Sequence, residues 1–134
     1  MDFNRLIEIS KALKNKKPEN KQFHVCFIMN KNRIVQIGLN DYRKTHPKHL
    51  QGHYVDKYGN NRSHLVGLHA ECDALIKLGE TDCSGYSFVN IRITPMNKVG
   101  YACYCNGCYN LLKQVGYKKL YFSYDDAGNF NQIV

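Results

Sequence analysis

Two short motifs carry side chains that could bind one metal ion together. The first is His69-Ala70-Glu71, and the second is Cys105-Asn106-Gly107-Cys108. Cysteine thiolates and a neutral imidazole are ligands that Zn²⁺ favours in proteins. One histidine and two cysteines fill three of the four tetrahedral positions, and the position left for water distinguishes a catalytic zinc site from a structural one. The residue types therefore predict Zn²⁺ bound by His69, Cys105 and Cys108.

Each motif lies where the sequence predicts the start of a helix. Apolar side chains at helical spacing run over Leu68–Leu78 and over Cys105–Val115, and each run ends at a glycine. Residues i and i+2 point to nearly opposite sides of a helix, so His69 and Glu71 can converge only ahead of the helix end. Because a helix N-terminus carries partial positive charge, it also stabilises cysteine thiolates. We expect both helices to begin at one common point.

Glu71 is two residues from a metal ligand and could carry protons there. Zinc lowers the pKa of its bound water to near 7, and a carboxylate beside that water could take up the proton and deliver it to a leaving group. This division of labour is that of the zinc nucleobase deaminases, whose signature is H-x-E followed by P-C-x-x-C. We predict that Glu71 is the catalytic acid and base.

On these motifs the sequence resembles the cytidine/deoxycytidylate deaminase superfamily. Gly38-Leu39-Asn40, at the end of a predicted strand, adds to the likeness, which extends over residues 23–125. The resemblance implies a cytidine-deaminase-like fold, a zinc cofactor and the hydrolytic conversion of cytosine to uracil. It also implies that Asn40, Asp41 and Ala70 contact the substrate.

Two neighbouring residues bear on this resemblance. Tyr104 stands where the family usually has proline before the first cysteine, so the restraint that proline places on a helix start is missing. Cys103 offers a further thiol, and if it were a ligand the site would be a closed, structural Cys₃His centre. We predict that Cys103 is not a ligand, since a closed site would leave Glu71 without a role.

The remaining segments predict the elements that position the two motifs. These are a helix over residues 2–14, a hairpin of strands 23–29 and 33–39, and strands over 86–94, 117–124 and 130–134. This order predicts one α/β domain over residues 1–134, a two- or three-layer sandwich. The resemblance implies the three-layer form, with a mixed sheet and helices on both faces. A four-residue turn at 126–129 is too short for a parallel crossover, so the chain should end in an antiparallel hairpin.

The C-terminal hairpin also bears on the substrate. Within the superfamily that the sequence resembles, an antiparallel last strand is found in the cytidine-deaminase branch, whereas the tRNA adenosine and deoxycytidylate branches continue with another helix. This favours cytosine as the base.

Residues 41–66 have no sustained apolar period and are predicted to form a long loop. Basic and aromatic side chains alternate irregularly along it: Arg43, Lys44, Lys48, Tyr54, Lys57, Tyr58 and Arg62. Such interleaving suits a single nucleic-acid strand, through phosphate pairing and base stacking. A solvated insertion or a contact between copies in a homo-oligomer is the alternative.

Composition adds a general expectation about partners and compartment. The chain has 134 residues with 19 Lys and Arg against 11 Asp and Glu, a formal net charge of +8. Such a field attracts phosphorylated molecules, although it is equally explained as a solvated basic surface. With no leader and no long apolar run, we expect a cytoplasmic protein that does not bind membranes, in which Cys26, Cys72 and Cys83 are buried free thiols.

Three hypotheses about function follow from the sequence. The first is an enzyme that converts cytosine to uracil in a nucleoside, a nucleotide or single-stranded nucleic acid. The second is an adenosine deaminase acting on RNA, which the same zinc site could support. The third is a zinc-stabilised nucleic-acid-binding module without catalysis. Asn40 and Asp41 favour a free nucleoside or nucleotide, and the basic loop favours a polymer.

Overall fold

Three helices and eight strands form the part of the chain that the structure, a computed structural model, describes: residues 1–16, 22–41, 54–55, 61–62 and 69–133. In chain order they are α1 (Phe3–Asn15), β1 (Phe23–Asn30), β2 (Arg33–Leu39), β3 (Tyr54–Val55), β4 (Asn61–Arg62), α2 (Ala70–Leu78), β5 (Ser87–Ile93), β6 (Val99–Gly100), α3 (Asn106–Val115), β7 (Lys119–Ser123) and β8 (Phe130–Ile133).

Six of these strands form one mixed, open sheet. Its order is β2-β1-β5-β7-β8, and β6 pairs with one end of β5. β1 is antiparallel to β2 and β5. β5 and β7 are parallel, so the chain between these two strands forms a crossover connection, which contains α3. β8 is antiparallel to β7. The predicted mixed α/β sheet and C-terminal hairpin are confirmed.

Helices cover both faces of the sheet. Alternate side chains of β1 point to opposite faces, so Val25 and Phe27 pack with Leu6 of α1, while Cys26 and Ile28 pack with residues of α2 and α3. The described residues therefore form three layers, with α1 on one face and the two motif helices on the other.

Helix α2 lies directly against β2 because Gly38 has no side chain. A Cβ at Gly38 would overlap the Ala70 carbonyl and the Ala74 backbone nitrogen. In addition, the Leu39 N–H donates to Asp73 Oδ2 at 2.9 Å, which joins the end of β2 to the first turns of α2. The Gly38-Leu39-Asn40 segment thus fixes where α2 begins.

Both motif helices end at the predicted glycines. Gly79 follows α2 with φ +72°, and Gly116 follows α3 with φ +85°, a region that favours glycine. Each glycine N–H donates to the carbonyl four residues earlier, Leu75 and Leu112 respectively. None of the helices in the described ranges is long and apolar enough to cross a bilayer.

Three short strands differ from the sequence prediction. β3 and β4 pair antiparallel inside residues 41–66, where a loop is predicted, and β6 follows the predicted strand end at residue 94. Two-residue strands are too short to carry an alternating pattern of apolar and polar residues, so such a pattern cannot predict them. The helix starts also differ slightly, since α2 begins at Ala70 and α3 at Asn106, one or two residues after the predicted positions.

Candidate metal centre

His69 and Cys105 occupy equivalent positions in two different helices. His69 is the N-cap of α2 and Cys105 is the N-cap of α3, both with extended backbone (ψ 154° and 162°). An N-cap side chain commonly accepts a hydrogen bond from its own helix, but neither of these does so. Instead, Cys105 Sγ lies 3.6 Å from His69 Nδ1. The two helix starts meet, as the sequence predicts.

Cys108 and Glu71 complete the cluster. Cys108 Sγ lies 3.4 Å from His69 Nδ1, and the donor atoms of His69, Glu71, Cys105 and Cys108 all lie within 4.8 Å of one another. With Zn–S of about 2.3 Å and Zn–N of about 2.0–2.1 Å, a tetrahedral zinc ion holds sulfur and nitrogen ligands about 3.6 Å apart. The measured S···N distances of 3.6 and 3.4 Å fit that geometry. These four residues could therefore hold a metal ion.

The electrostatics of the cluster also favour a cation. Glu71 is 5% exposed. Burial raises the pKa of Glu71, and the nearby charge of Cys105 raises it further. The hydrogen bond with Cys105, together with burial, raises the pKa of the Cys108 thiol well above its usual range. Acidic groups crowded in a buried place resist losing their protons, and a divalent cation between them would reverse that preference.

His69 experiences opposing influences. Burial by itself lowers the pKa of His69, but the hydrogen bond with Cys105 and the negative charges of Glu71 and Cys105 outweigh it, so the pKa is raised. Its Nδ1 is the ring atom that faces both cysteine sulfurs. A metal at this position would therefore bind Nδ1.

Cys103 lies outside the group of four donor residues. Its side chain is exposed and lines the cavity beside the cluster, whereas Cys105 is partly buried and Cys108 buried. Among the described residues, the geometry therefore favours the predicted pair of thiols over a site containing Cys103. The other three cysteines, Cys26, Cys72 and Cys83, are fully buried, as predicted.

Tyr104 fixes the approach to α3 in a different way from proline. Its ring is buried in the core between the sheet and the two motif helices, and its hydroxyl donates to the Tyr121 carbonyl on β7 at 2.8 Å. The residue before the first cysteine is thereby held by packing and a hydrogen bond rather than by a restricted φ.

An open cavity of about 130 Å³ adjoins the donor cluster. Its walls are formed by the start of α2, by residues of β1 and β5, by the residue after β2 and by the segment before α3: His24, Asn40, His69, Ala70, Glu71, Asn90, Cys103 and Cys105. The volume is below the ~300–1,000 Å³ of pockets that hold drug-sized ligands. It suits one small ring beside the metal position.

Of the residues predicted to contact substrate, Asn40 and Ala70 line this cavity. Asn40 also has a structural task, because its Oδ1 accepts from the His24 N–H at 2.9 Å and its Nδ2 donates to the Gln22 carbonyl at 2.6 Å. Asp41 follows Asn40 but is not among the described residues that line the cavity.

The predicted nucleic-acid contacts can be followed only in part. Tyr54 and Arg62 lie in the β3–β4 pair, opposite each other. The other five, Arg43, Lys44, Lys48, Lys57 and Tyr58, lie outside the described residues.

Two cavity residues escape the motif analysis. His24 is partly buried on β1, and burial, followed by the positive charges of Arg92 and His69, lowers its pKa from 6.5 to about 4, so it is neutral near pH 7. Asn90 lies on β5, directly across from Cys26 of β1. The signal that could have indicated Asn90 is its polarity within the strand Ser87–Ile93, which is otherwise largely apolar and lies in the middle of the sheet.

Comparisons with known proteins add no assignment. Neither a protein-family model nor a curated protein sequence matches this chain. The functional argument therefore depends on the geometry and chemistry of the cluster and its cavity.

Proposed function

We propose that the protein is a zinc-dependent hydrolytic deaminase that converts cytosine to uracil, a member of the superfamily that its motifs resemble. One observation carries this proposal: His69, Cys105 and Cys108 come together at two helix starts, with the buried Glu71 carboxylate beside them and a ring-sized cavity in front. A purely structural zinc site needs neither the cavity nor the carboxylate.

The three ligands proposed for zinc are His69, Cys105 and Cys108. A zinc ion bound there would act as a Lewis acid that activates water for attack on the ring carbon bearing the amino group. The choice of two sulfurs and one imidazole nitrogen, at separations of 3.4 and 3.6 Å, supports zinc over metals that prefer oxygen ligands.

Glu71 is the proposed proton carrier. Its carboxylate would take a proton from the attacking water, protonate the ring nitrogen and then protonate the departing amine, which leaves as ammonia. The position of the carboxylate supports this role, because it is buried within the donor cluster and lines the cavity, and a proton carrier must lie within reach of both the activated water and the substrate. Its place at the second position of α2 keeps it at the cavity wall.

Ala70 and Asn40 would orient the ring. Ala70 is the first residue of α2, so its N–H has no acceptor within the helix and could donate to a ring oxygen. Asn40 uses Oδ1 and one Nδ2 hydrogen to hold Gln22 and His24, which leaves its second Nδ2 hydrogen for a substrate. Its loss would therefore disturb both the cavity wall and the substrate.

The antiparallel order of β7 and β8 supports cytosine as the base, since it is the arrangement found in the cytidine-deaminase branch. The net charge of +8 supports an anionic substrate, either a nucleotide or a single strand.

A substrate panel tests the proposed function. The zinc-loaded protein is incubated with cytidine, deoxycytidine, their monophosphates, adenosine, and single-stranded DNA and RNA oligonucleotides, and ammonia and base products are measured. We expect uracil from at least one cytosine substrate and none after removal of zinc with a chelator. Conversion of adenine alone would establish the adenosine hypothesis instead. One tightly bound zinc with no turnover of any substrate would favour the non-catalytic module.

A further inference from the structure

Asn90 is a buried amide whose oxygen lacks a hydrogen-bond partner among the described residues. It is 5% exposed, on a strand flanked by β1 and β7, and it shares with Phe88 the face of the sheet that α2 and α3 cover. Among the described residues, no hydrogen-bond donor reaches its Oδ1. More than about 90% of buried polar groups in native proteins have a partner, and an unpaired one destabilises the fold unless something else pairs with it.

The position of Asn90 indicates where a partner would be. Its side chain lines the cavity together with Glu71 and His24. The terminal torsion of asparagine is broad, so the carboxamide can turn and present either Oδ1 or Nδ2 to a molecule in the cavity. An amide offers an acceptor and a donor side by side, which matches the adjacent donor and acceptor atoms on the edge of a nucleobase.

Asn40, the other asparagine at the cavity, makes an instructive contrast. Its Oδ1 and Nδ2 already bind the main chain of His24 and Gln22, at 2.9 and 2.6 Å. Most of the hydrogen-bonding capacity of the Asn40 amide is thus already used by the main chain. The Asn90 Oδ1, by contrast, has no hydrogen-bond donor among the described residues, although both asparagines are nearly fully buried.

We propose that the Asn90 carboxamide binds the polar edge of the base in this cavity. The inference rests on the proposed function for the identity of the ring. It requires only that a planar heterocycle with a neighbouring donor and acceptor enter the cavity. His24 also lines that cavity.

The test separates substrate binding from stability. Asn90→Leu removes both polar atoms at similar size, and Asn90→Ala provides a smaller variant. Ser87→Ala, at a buried polar position on the same strand but outside the cavity lining, is the matched control. All three are made in zinc-loaded Glu71→Gln protein to prevent turnover, and cytidine and adenosine binding is measured by titration calorimetry beside thermal unfolding.

We expect Asn90→Leu to weaken cytidine binding at least tenfold without lowering the unfolding temperature, because the Asn90 Oδ1 has no hydrogen-bond donor among the described residues. Asn90→Ala should weaken it similarly, and Ser87→Ala should leave the Kd unchanged. A lower unfolding temperature with an unchanged Kd in both Asn90 variants would make Asn90 a structural residue and overturn the inference.

The same experiment distinguishes this inference from the proposed function. If wild-type protein deaminates cytidine but the Asn90 variants bind it normally, the inference fails and the deaminase stands. If nucleosides bind, and bind more weakly to the Asn90 variants, while wild-type protein deaminates nothing, the binding role stands and the deaminase fails.

Discussion

The two faces of the central sheet use the same strands for different purposes. Towards α1, β1 and β5 present Val25, Phe27, Val89 and Ile91, all fully buried, and this face is a continuous apolar core. Towards α2 and α3 the same strands contribute Cys26, Ile28 and Phe88 to a second apolar core, and they also place the polar residues His24 and Asn90 at the open cavity. One face contributes mainly hydrophobic stabilisation, and the other combines a core with a chemical site.

This difference arises from the alternation of side chains along each strand. Because neighbouring residues point to opposite faces, β5 can place Asn90 in the cavity while Val89 and Ile91 remain in the α1 core. The free-energy cost of burying the Asn90 oxygen without a donor is therefore confined to the face towards α2 and α3. Changes on the α1 face should alter stability alone, and changes on the other face should alter metal binding, chemistry or both.

The largest effect is expected from removing a metal ligand. His69→Ala, Cys105→Ala and Cys108→Ala should each lose bound zinc and all activity, because each variant keeps only two of the three proposed zinc ligands. Cys103→Ala, at a neighbouring exposed thiol, is the control and should retain one zinc per chain. Metal analysis after dialysis measures this. Full zinc in Cys105→Ala together with zinc loss in Cys103→Ala would contradict the ligand assignment.

A smaller effect, on stability, should separate the two faces. Leu6 of α1 and Leu75 of α2 are both essentially unexposed, and truncation of such a leucine to alanine costs about 2–5 kcal/mol. Leu6→Ala should lower the free energy of unfolding but leave kcat per bound zinc unchanged. Leu75→Ala should lower both the free energy of unfolding and kcat per bound zinc, since α2 carries His69 and Glu71. Denaturant unfolding and kinetics on folded, zinc-loaded protein test this. Equal losses of kcat in both variants would remove the distinction between the faces.

The smallest effect is a pH dependence of stability. It comes from His24, on the face of the sheet towards α2 and α3. Its pKa is lowered from 6.5 to about 4 in the folded protein, chiefly by burial. Between these values the unfolded chain binds a proton that the folded protein does not, so the free energy of unfolding should fall as the pH drops below 6.5. The loss between pH 7.5 and pH 5 should be about 2 kcal/mol greater in wild type than in His24→Gln. Identical pH profiles would show that His24 does not carry this dependence.

Much of the fold follows from local sequence signals. The apolar runs, the glycines at 79 and 116, and the short turn before β8 predict the helices, their ends and the final antiparallel pair. The metal cluster could also be predicted, because the ligand types are unusual and both motifs fall at helix starts. His69 and Cys105 are the N-caps of their helices, and residue spacing alone predicts a helix start only to within one or two residues.

The remaining features of the fold and the cavity depend on contacts between segments that are distant in the sequence. The role of Gly38 appears only when α2 lies against β2, and Tyr104 is understood only through the distant Tyr121 carbonyl. His24 and Asn90 reach the cavity because β1 and β5 are neighbours in the sheet, which strand patterns do not specify. The two-residue strands β3, β4 and β6 are too short for any periodicity to indicate them.

The central claim is that Glu71 moves protons beside a metal held by three other residues, and Glu71→Gln tests it most directly. Zinc content, thermal unfolding and turnover of the best cytosine substrate are measured on the same preparation of wild type and variant. We expect one zinc per chain in both, a similar unfolding temperature, and turnover reduced by about 10²–10⁴-fold or more in the variant. Loss of zinc from Glu71→Gln would make Glu71 a ligand, and wild-type turnover in the variant would exclude it as the proton carrier.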